Sequence, residues 1–306
     1  MRGPNASRAL HGFAVLTAAA TFLLLIAGAL VVGNEAGLAV PDWPLSYGTW
    51  MPPMEGGIFY EHGHRMIAAT VGLLTTVLAI WFWRREPRRW VVGLGLAAWL
   101  AVVVQAVLGG ITVLYRLPIP VLVGHALLAQ AFFCLMVSLA LFTSPAWNRA
   151  PEPIQETRGP AFRHLCAAAT AALLIQLVLG ATLRHKALGL GPHLVWAGVA
   201  SMLVGWVCFR AITELGEQAG LLKLARLVGA IWVVQLGLGG ASYFLRAMTR
   251  EAVQPQSSVV VITTAHLAVG ALLLSGSLVL TLLAWRRQAV CKRVPALTGS
   301  PQRTLA

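Results

Sequence analysis

Charge is scarce in this chain and acidic charge scarcest. Only 10 Asp and Glu stand against 23 Lys and Arg in 306 residues, 11% of positions are charged, and 58% are hydrophobic. That balance excludes a soluble globule of ordinary composition. Cysteine is scarce too: the four present, Cys134, Cys166, Cys208 and Cys291, form no Cys-x-x-Cys pair. The usual ligand spacing for zinc, an iron–sulfur cluster or a covalently attached heme is therefore missing. None of the four falls in a segment expected outside the cell, so no disulfide is expected there.

What the chain has instead is long apolar runs. Eight can be read, near 12–33, 61–83, 90–115, 121–143, 163–184, 190–211, 224–247 and 259–285. Most are long enough to cross a hydrocarbon core of about 30 Å as helices. The expected fold class is an all-α polytopic membrane protein with eight transmembrane helices. The first run is full length and leads into a loop carrying Trp43 and Trp50, so it reads as a retained span rather than a cleaved signal. A net charge of +13 does not mark a nucleic-acid partner here, because the basic residues sit at helix ends rather than on one face. Of the Lys and Arg residues, 17 fall on one side (Arg84, Arg85, Arg88, Arg89, Arg286 and Arg287 among them) and 6 on the other: Arg65, Arg116, Arg184, Lys186, Arg246 and Arg250. By the positive-inside rule both termini are cytoplasmic.

The proline-rich stretch from Pro145 to Arg163 is the natural joint between two four-helix halves, 1–150 and 151–306, which read as tandem bundles. Three outward helices carry near-copies of one string: Gln105-Ala-Val-Leu-Gly-Gly, Gln176-Leu-Val-Leu-Gly-Ala and Gln235-Leu-Gly-Leu-Gly-Gly. Leu24-Leu-Ile-Ala-Gly-Ala is a weaker fourth. After each comes a loop, then a helix that opens with a histidine: His64, His125, His193 and His266. Glycine to histidine spans 36, 16, 13 and 27 residues, so the frame repeats while the loops vary. The glycines Gly28, Gly109, Gly180 and Gly239 let a neighbour or a flat ligand approach the backbone closely.

Paired this way, His64 with His125 and His193 with His266, the imidazoles project inward from facing helices and can each clamp one metalloporphyrin. A single histidine near a membrane helix end is as readily an interfacial residue bonded to a carbonyl; four at matching repeat positions favour ligation. His11, His164 and His185 lie off the repeat and read as ordinary helix-end or loop residues. Gln105, Gln176 and Gln235 can bond either a porphyrin edge or a neighbouring helix. The outer segment 34–60 is rich in proline and tryptophan and reads as a folded lid. It runs into Glu61-His62-Gly63-His64-Arg65, which stacks Glu61 about one helical turn above His64.

At these residues the chain resembles heme A synthase, the membrane enzyme that oxidises a methyl group of heme O to the formyl group of heme A. The resemblance rests on Pro41-Asp-Trp-Pro-Leu45, on Glu61-x-x-His64-Arg65 and on His125, His193 and His266. It implies a resident heme b on His193 and His266, a substrate heme served by His64 and His125, and Glu61 as the essential carboxylate. Arg65 is then a propionate partner, or else an interfacial arginine extended toward water. Many bacterial members carry a cysteine pair beside the Asp-Trp-Pro-Leu segment; here Ala39 or Val40 and Ser46 stand in those places, which implies a cysteine-free subgroup without any thiol step.

The implied activity is an oxidoreductase acting on a CH group: two successive hydroxylations at the C8 methyl of heme O, then loss of water. An unreactive C–H bond needs a redox iron, which no side chain supplies. The implied partners are heme O, the heme O synthase (protoheme farnesyltransferase) that makes it, an unidentified electron acceptor or donor, and terminal oxidase assembly factors. The lipid bilayer surrounds it, no nucleic acid is expected, and homo-oligomerisation stays open. The implied location is the cell membrane, with the histidine sites toward its outer face. A bis-histidine cytochrome b that only moves electrons is the alternative, and it gives no reason for a lid and a carboxylate over one pair alone. A heme transporter or chaperone fits less well, since few charges fall inside the spans.

Overall fold

A hydrocarbon solvent leaves backbone N–H and C=O groups no partner but each other, so the apolar runs must be helices. The computed structural model of this chain describes residues 4–149, 160–216 and 218–291. Among them the regular structure is helical: α1 (Pro4–Gly33), α2 (Gly56–Arg85), α3 (Arg89–Leu114), α4 (Ile119–Thr143), α5 (Pro145–Asn148), α6 (Phe162–Arg184), α7 (Leu190–Glu214), α8 (Ala219–Met248) and α9 (Ser257–Cys291). All but α5 are long and apolar enough to cross a membrane, eight in total. They coincide with the eight expected runs, but α1 starts eight residues earlier and α2 and α8 five residues earlier. The apolar window sees only the hydrocarbon part of a helix, whereas the 30 residues of α2 reach about 45 Å and so run into the headgroup zone.

The joint between the fourth and fifth spans holds the short α5, whose start is capped by the Ser144 hydroxyl accepting from the Trp147 N–H at 3.1 Å. Positions 150–159 of that joint lie outside the described residues. Helices α1 to α4 pack in a ring, each against the next and α4 back against α1; α6 to α9 do the same. Contacts of α1 with α9, α4 with α9 and α4 with α6 join the two rings. In such a ring α2 stands diagonally opposite α4, and α7 opposite α9.

Lipid is as apolar as a leucine side chain, so what holds these rings is close packing and interhelical hydrogen bonds rather than exclusion from water. Phe82 is fully buried on the face of α3, where a Cβ at Gly95 would stand only 2.8 Å from its ring. Met136 and Leu139 complete that core. In the second ring Phe162, Val204, Leu221 and Leu280 do the same. Thr170 of α6 bonds Ser277 and Thr281 of α9 at 2.8 and 2.9 Å, and the Trp196 indole donates across to the Ala172 carbonyl at 2.9 Å.

Three helices finish alike. After α1, α3 and α6 a non-glycine residue turns into the left-handed region, Glu35 (φ 53°), Arg116 (φ 57°) and Lys186 (φ 60°), and after α3 Leu117 (φ 62°) follows it there. The following N–H reaches back to a carbonyl five residues earlier: Ala36 to Val31 at 2.9 Å, Leu117 to Thr112 at 2.7 Å and Ala187 to Thr182 at 2.8 Å. These turns satisfy carbonyls that the helix end would leave open.

The orientation expected from the basic residues has a direct check. With the chain's own cysteines replaced by alanine, Lys186→Cys should react with a membrane-impermeant maleimide in intact cells. Lys223→Cys should react only after the cells are opened, and the opposite pattern would place the termini outside.

Candidate functional site

The repeated glycines have a definite neighbour. A Cβ built on Gly28 would stand 3.2 Å from Cε1 of His64; on Gly109, 3.6 Å from Cε1 of His125; on Gly180, 3.3 Å from Cε1 of His193; on Gly239, 3.2 Å from Cε1 of His266. Each histidine of the repeat thus lies with the same ring edge against the glycine of the helix before it. Of the two occupants the sequence allowed for these glycines, the structure shows the imidazole.

His64 and His125, on the diagonal helices α2 and α4, are close enough to feel each other's charge, as are His193 and His266 on α7 and α9. The Nδ1 atoms of His64, His125 and His266 are buried and have no hydrogen-bond partner. At His193 the amide nitrogen of Gln176 lies 3.1 Å from Nδ1 and 3.2 Å from Nε2. Such orphaned ring nitrogens in an apolar bundle are costly unless something coordinates or bonds them.

A bare metal ion would need more ligands than this. Among the described residues no three His, Cys, Asp or Glu side chains converge. A planar group that brings four equatorial donors of its own needs only two axial imidazoles, and the paired diagonal histidines fit that requirement in both rings: His64, His125 and His266 each keep a free ring nitrogen, and His193 is contacted only by the Gln176 amide.

The glutamines of the repeat bond to the next helix. Gln105 donates to the carbonyl of His125 at 3.0 Å and Gln176 to that of His193 at 3.1 Å; the Gln235 amide lies 3.4 Å from Nε2 of His266. Their Oε1 atoms stay buried without a partner.

Among the described residues, a lid lies over the first ring alone. The segment between α1 and α2 crosses the end of that ring nearest its histidines and is fastened by α2. Arg65 donates through Nη1 to the carbonyls of Asp42 (2.8 Å) and Leu45 (2.9 Å), and through Nη2 to that of Val40 (3.3 Å). Nη2 also pairs with Oε1 of Glu61 at 2.7 Å, while Oε2 of Glu61 accepts from the Val40 N–H at 2.8 Å. Glu61 is buried with both oxygens engaged, so it is fixed in place one turn above His64. In these contacts the Arg65 guanidinium is turned into the lid.

Other contacts complete the seal. The Trp43 ring lies where a Cβ of Gly110 would stand 2.8 Å away, and Ala39 packs on Gly57 at the same distance. The corresponding Gly240 of the second ring has nothing within 4 Å. At the tip, Ser46 and Thr49 exchange backbone hydrogen bonds at 3.0 and 3.1 Å across Tyr47 (φ 53°) and Gly48 (φ 71°). This two-residue reversal needs left-handed backbone at both central positions. Asp42 holds it by accepting from the N–H groups of Tyr47 (2.7 Å) and Gly48 (2.8 Å). The Gly48 N–H chiefly, with Tyr47 and the charge of Arg65, lowers the Asp42 pKa.

One buried residue was passed over by the sequence reading. His62 bonds Ser46 through Nδ1 at 2.8 Å and leaves Nε2 buried and unpartnered. Standing one residue from Glu61 and off the glycine–histidine repeat, it gave no periodic signal. His11 is the ordinary helix-end residue expected, with Nδ1 3.1 Å from the Ala140 carbonyl. His164, near the start of α6 and so at the same end as His11, lies against Trp285. His185 is half-buried at the C-terminal end of α6, within electrostatic range of His125 in the other ring; burial first, then the neighbouring Arg184, lowers its pKa.

Comparison with known proteins bears on this geometry. Residues 55–192 match the model of the cytochrome oxidase assembly protein family COX15-CtaA. The chain is 29% identical over 184 residues to heme A synthase of Symbiobacterium thermophilum, covering 58% of this chain and 60% of that one. It is 28% identical over 142 residues to that of Bacillus licheniformis, 46% and 47% of the two chains. Against heme A synthase of Geobacillus thermodenitrificans it is 24% identical over 245 residues, 78% and 74%. In the first two of these relatives the alignment spans about half to three-fifths of their length. The matches support the heme A synthase family.

The fastening of the lid yields a measurable expectation. Arg65→Ala removes donors to three carbonyls and should speed proteolysis between residues 34 and 55 at least about tenfold, with α3 and α4 unaffected. Because the folded pKa of Asp42 is depressed, its hold on the tip is present above the ordinary aspartate range and lost as pH falls through the lowered value. Pepsin cleavage at the tip should rise only at that acid limit, and Asp42→Asn should remove the pH dependence.

Proposed function

We propose that this chain is a heme A synthase, a membrane oxidoreductase that converts the C8 methyl of heme O to a formyl group and so supplies heme A for terminal oxidase assembly. The observation that carries this reading is the asymmetry between two otherwise matching histidine pairs: His64 and His125 lie under a fastened lid with a fixed carboxylate, and His193 and His266 do not. A carrier of electrons alone has no use for that difference. The names of the relatives and the matched family model support the same reading.

In this reading His193 and His266 hold a resident heme b, and His64 and His125 receive the substrate heme. The bound iron supplies the redox chemistry that the side chains lack. The chain's own residues position and shield. The four glycines set the depth of each imidazole, and the lid keeps water from the outer mouth of the first ring. Glu61, fixed by Arg65 and the Val40 N–H, presents a carboxylate about 4.5 Å of helix rise outward of His64. There it stabilises positive charge developing at the methyl carbon, or takes a proton at an oxygen that one of its two donors releases; exclusion of water strengthens either role. The site faces the outer side of the cell membrane. Heme O synthase is the source of substrate, and an external redox partner takes up the electrons.

Two substitutions test this. In Gly239→Val the new side chain meets the His266 ring, so the low-spin bis-histidine spectrum of the second site should be lost while that of the first persists. Glu61→Gln should abolish heme A in pigments extracted from cells that make heme O, at least about a hundredfold, with heme b retained and lid proteolysis unchanged. Heme A at the normal level in that variant would remove the carboxylate from the chemistry, and unchanged heme O with the unsubstituted chain would favour the electron carrier.

A further inference from the structure

Arg184 closes α6 and Arg246 lies in the last turn of α8. Arg184 donates through Nη2 to the Ala29 carbonyl of α1 at 2.9 Å, but its Nε is buried and has no partner. Arg246 is near enough to act on it electrostatically, and Arg184 in turn lies within range of His266. Among the described residues the ion pairs are Arg65 with Glu61, Arg88 with Glu86 and Arg210 with Glu214; neither Arg184 nor Arg246 has a carboxylate. The helix dipole favours a cation at each of these C-terminal ends. It gives no account of a buried Arg184 N–H left unsatisfied beside the charge of the exposed Arg246, an arrangement that costs free energy until an anion arrives.

The ring order says where that anion comes from. His193 and His266 occupy one diagonal, α7 and α9, so a planar group clamped between them shows its edges to the other diagonal, α6 and α8. Both arginines stand on that diagonal, at the outer end. We infer that Arg184 and Arg246 bind the two propionate carboxylates of the heme held by His193 and His266. This rests on the resident-heme reading above. Guanidinium suits the role because it can meet a carboxylate with two parallel N–H donors. The first ring differs: Arg116 stands seven residues after Gly109, as Arg246 does after Gly239, whereas the place four residues after Gly28, matching Arg184 after Gly180, is Val32. The anchor is therefore complete only where a heme is to stay.

The test compares protoheme with its dimethyl ester, whose propionates carry no charge, in the full chain bearing His64→Ala so that one histidine pair remains. The expected result is binding of protoheme roughly tenfold tighter than the ester, from a charge-assisted pair. Arg184→Gln should bring that ratio toward one while leaving the affinity for the ester unchanged, Arg184→Lys should keep part of it, and Arg246→Gln should reduce it less. Equal affinity for the two hemes in the Arg184-containing chain, or an equal loss of both in Arg184→Gln, overturns the anchor. Failure of the parent reading looks different: no low-spin bis-histidine spectrum with either heme, or one that survives His193→Ala.

Discussion

Everything at the heart of this molecule depends on an imidazole edge meeting a bare stretch of helix backbone. At Gly28, Gly109, Gly180 and Gly239 the missing side chain is the space that the ring of the next helix fills, at 3.2–3.6 Å. Interhelical approach in a membrane is governed by how closely surfaces can pack, so these contacts fix helix spacing and ring position together. A larger residue would push the histidine toward the bundle axis and close the gap a flat ligand needs. The unpartnered ring nitrogens follow from the same arrangement, because a ring pressed edge-on against glycine is turned away from most backbone acceptors.

On this repeated frame the two rings diverge. In the first, the extra outer segment is held by Arg65, whose single guanidinium gathers three carbonyls and the Glu61 carboxylate. Glu61 is thereby one contact of the lid as well as the proposed chemical group, and the three carbonyls gathered by Arg65 hold the lid independently of its charge. In the second ring, among the described residues, nothing lies within 4 Å of a Cβ at Gly240, and two arginines without acidic partners occupy the matching end instead. One ring is covered and the other is charged.

Much of this was legible in the sequence. Eight apolar runs, the glycine–histidine repeat and the unusual outer loop all leave local signals, because helix period, span length and turn composition are properties of short windows. The contacts of Arg65 left none. Its partners Val40, Asp42 and Leu45 lie 20 to 25 residues before it and are backbone carbonyls, which any residue type supplies. His62 was invisible for a similar reason: its partner Ser46 belongs to a loop whose path depends on a tight reversal at Tyr47 and Gly48. The repeated closing turns also escaped, since they use Glu35, Arg116 and Lys186 rather than the glycine that usually announces them.

The lid also sets a direction of traffic. With Trp43 pressed on α3, Ala39 on α2 and Arg65 drawing three carbonyls inward, the first ring is corked on its aqueous side. A bulky porphyrin with a long isoprenoid tail would then, under the proposed function, have the flank between helices as its doorway, straight from the bilayer. Under the proposed function, supply would follow the two-dimensional concentration of substrate in the lipid and not any pool in the surrounding water. The turnover of the enzyme would be paced by lateral diffusion, and its effective neighbours would be whatever else shares that patch of membrane.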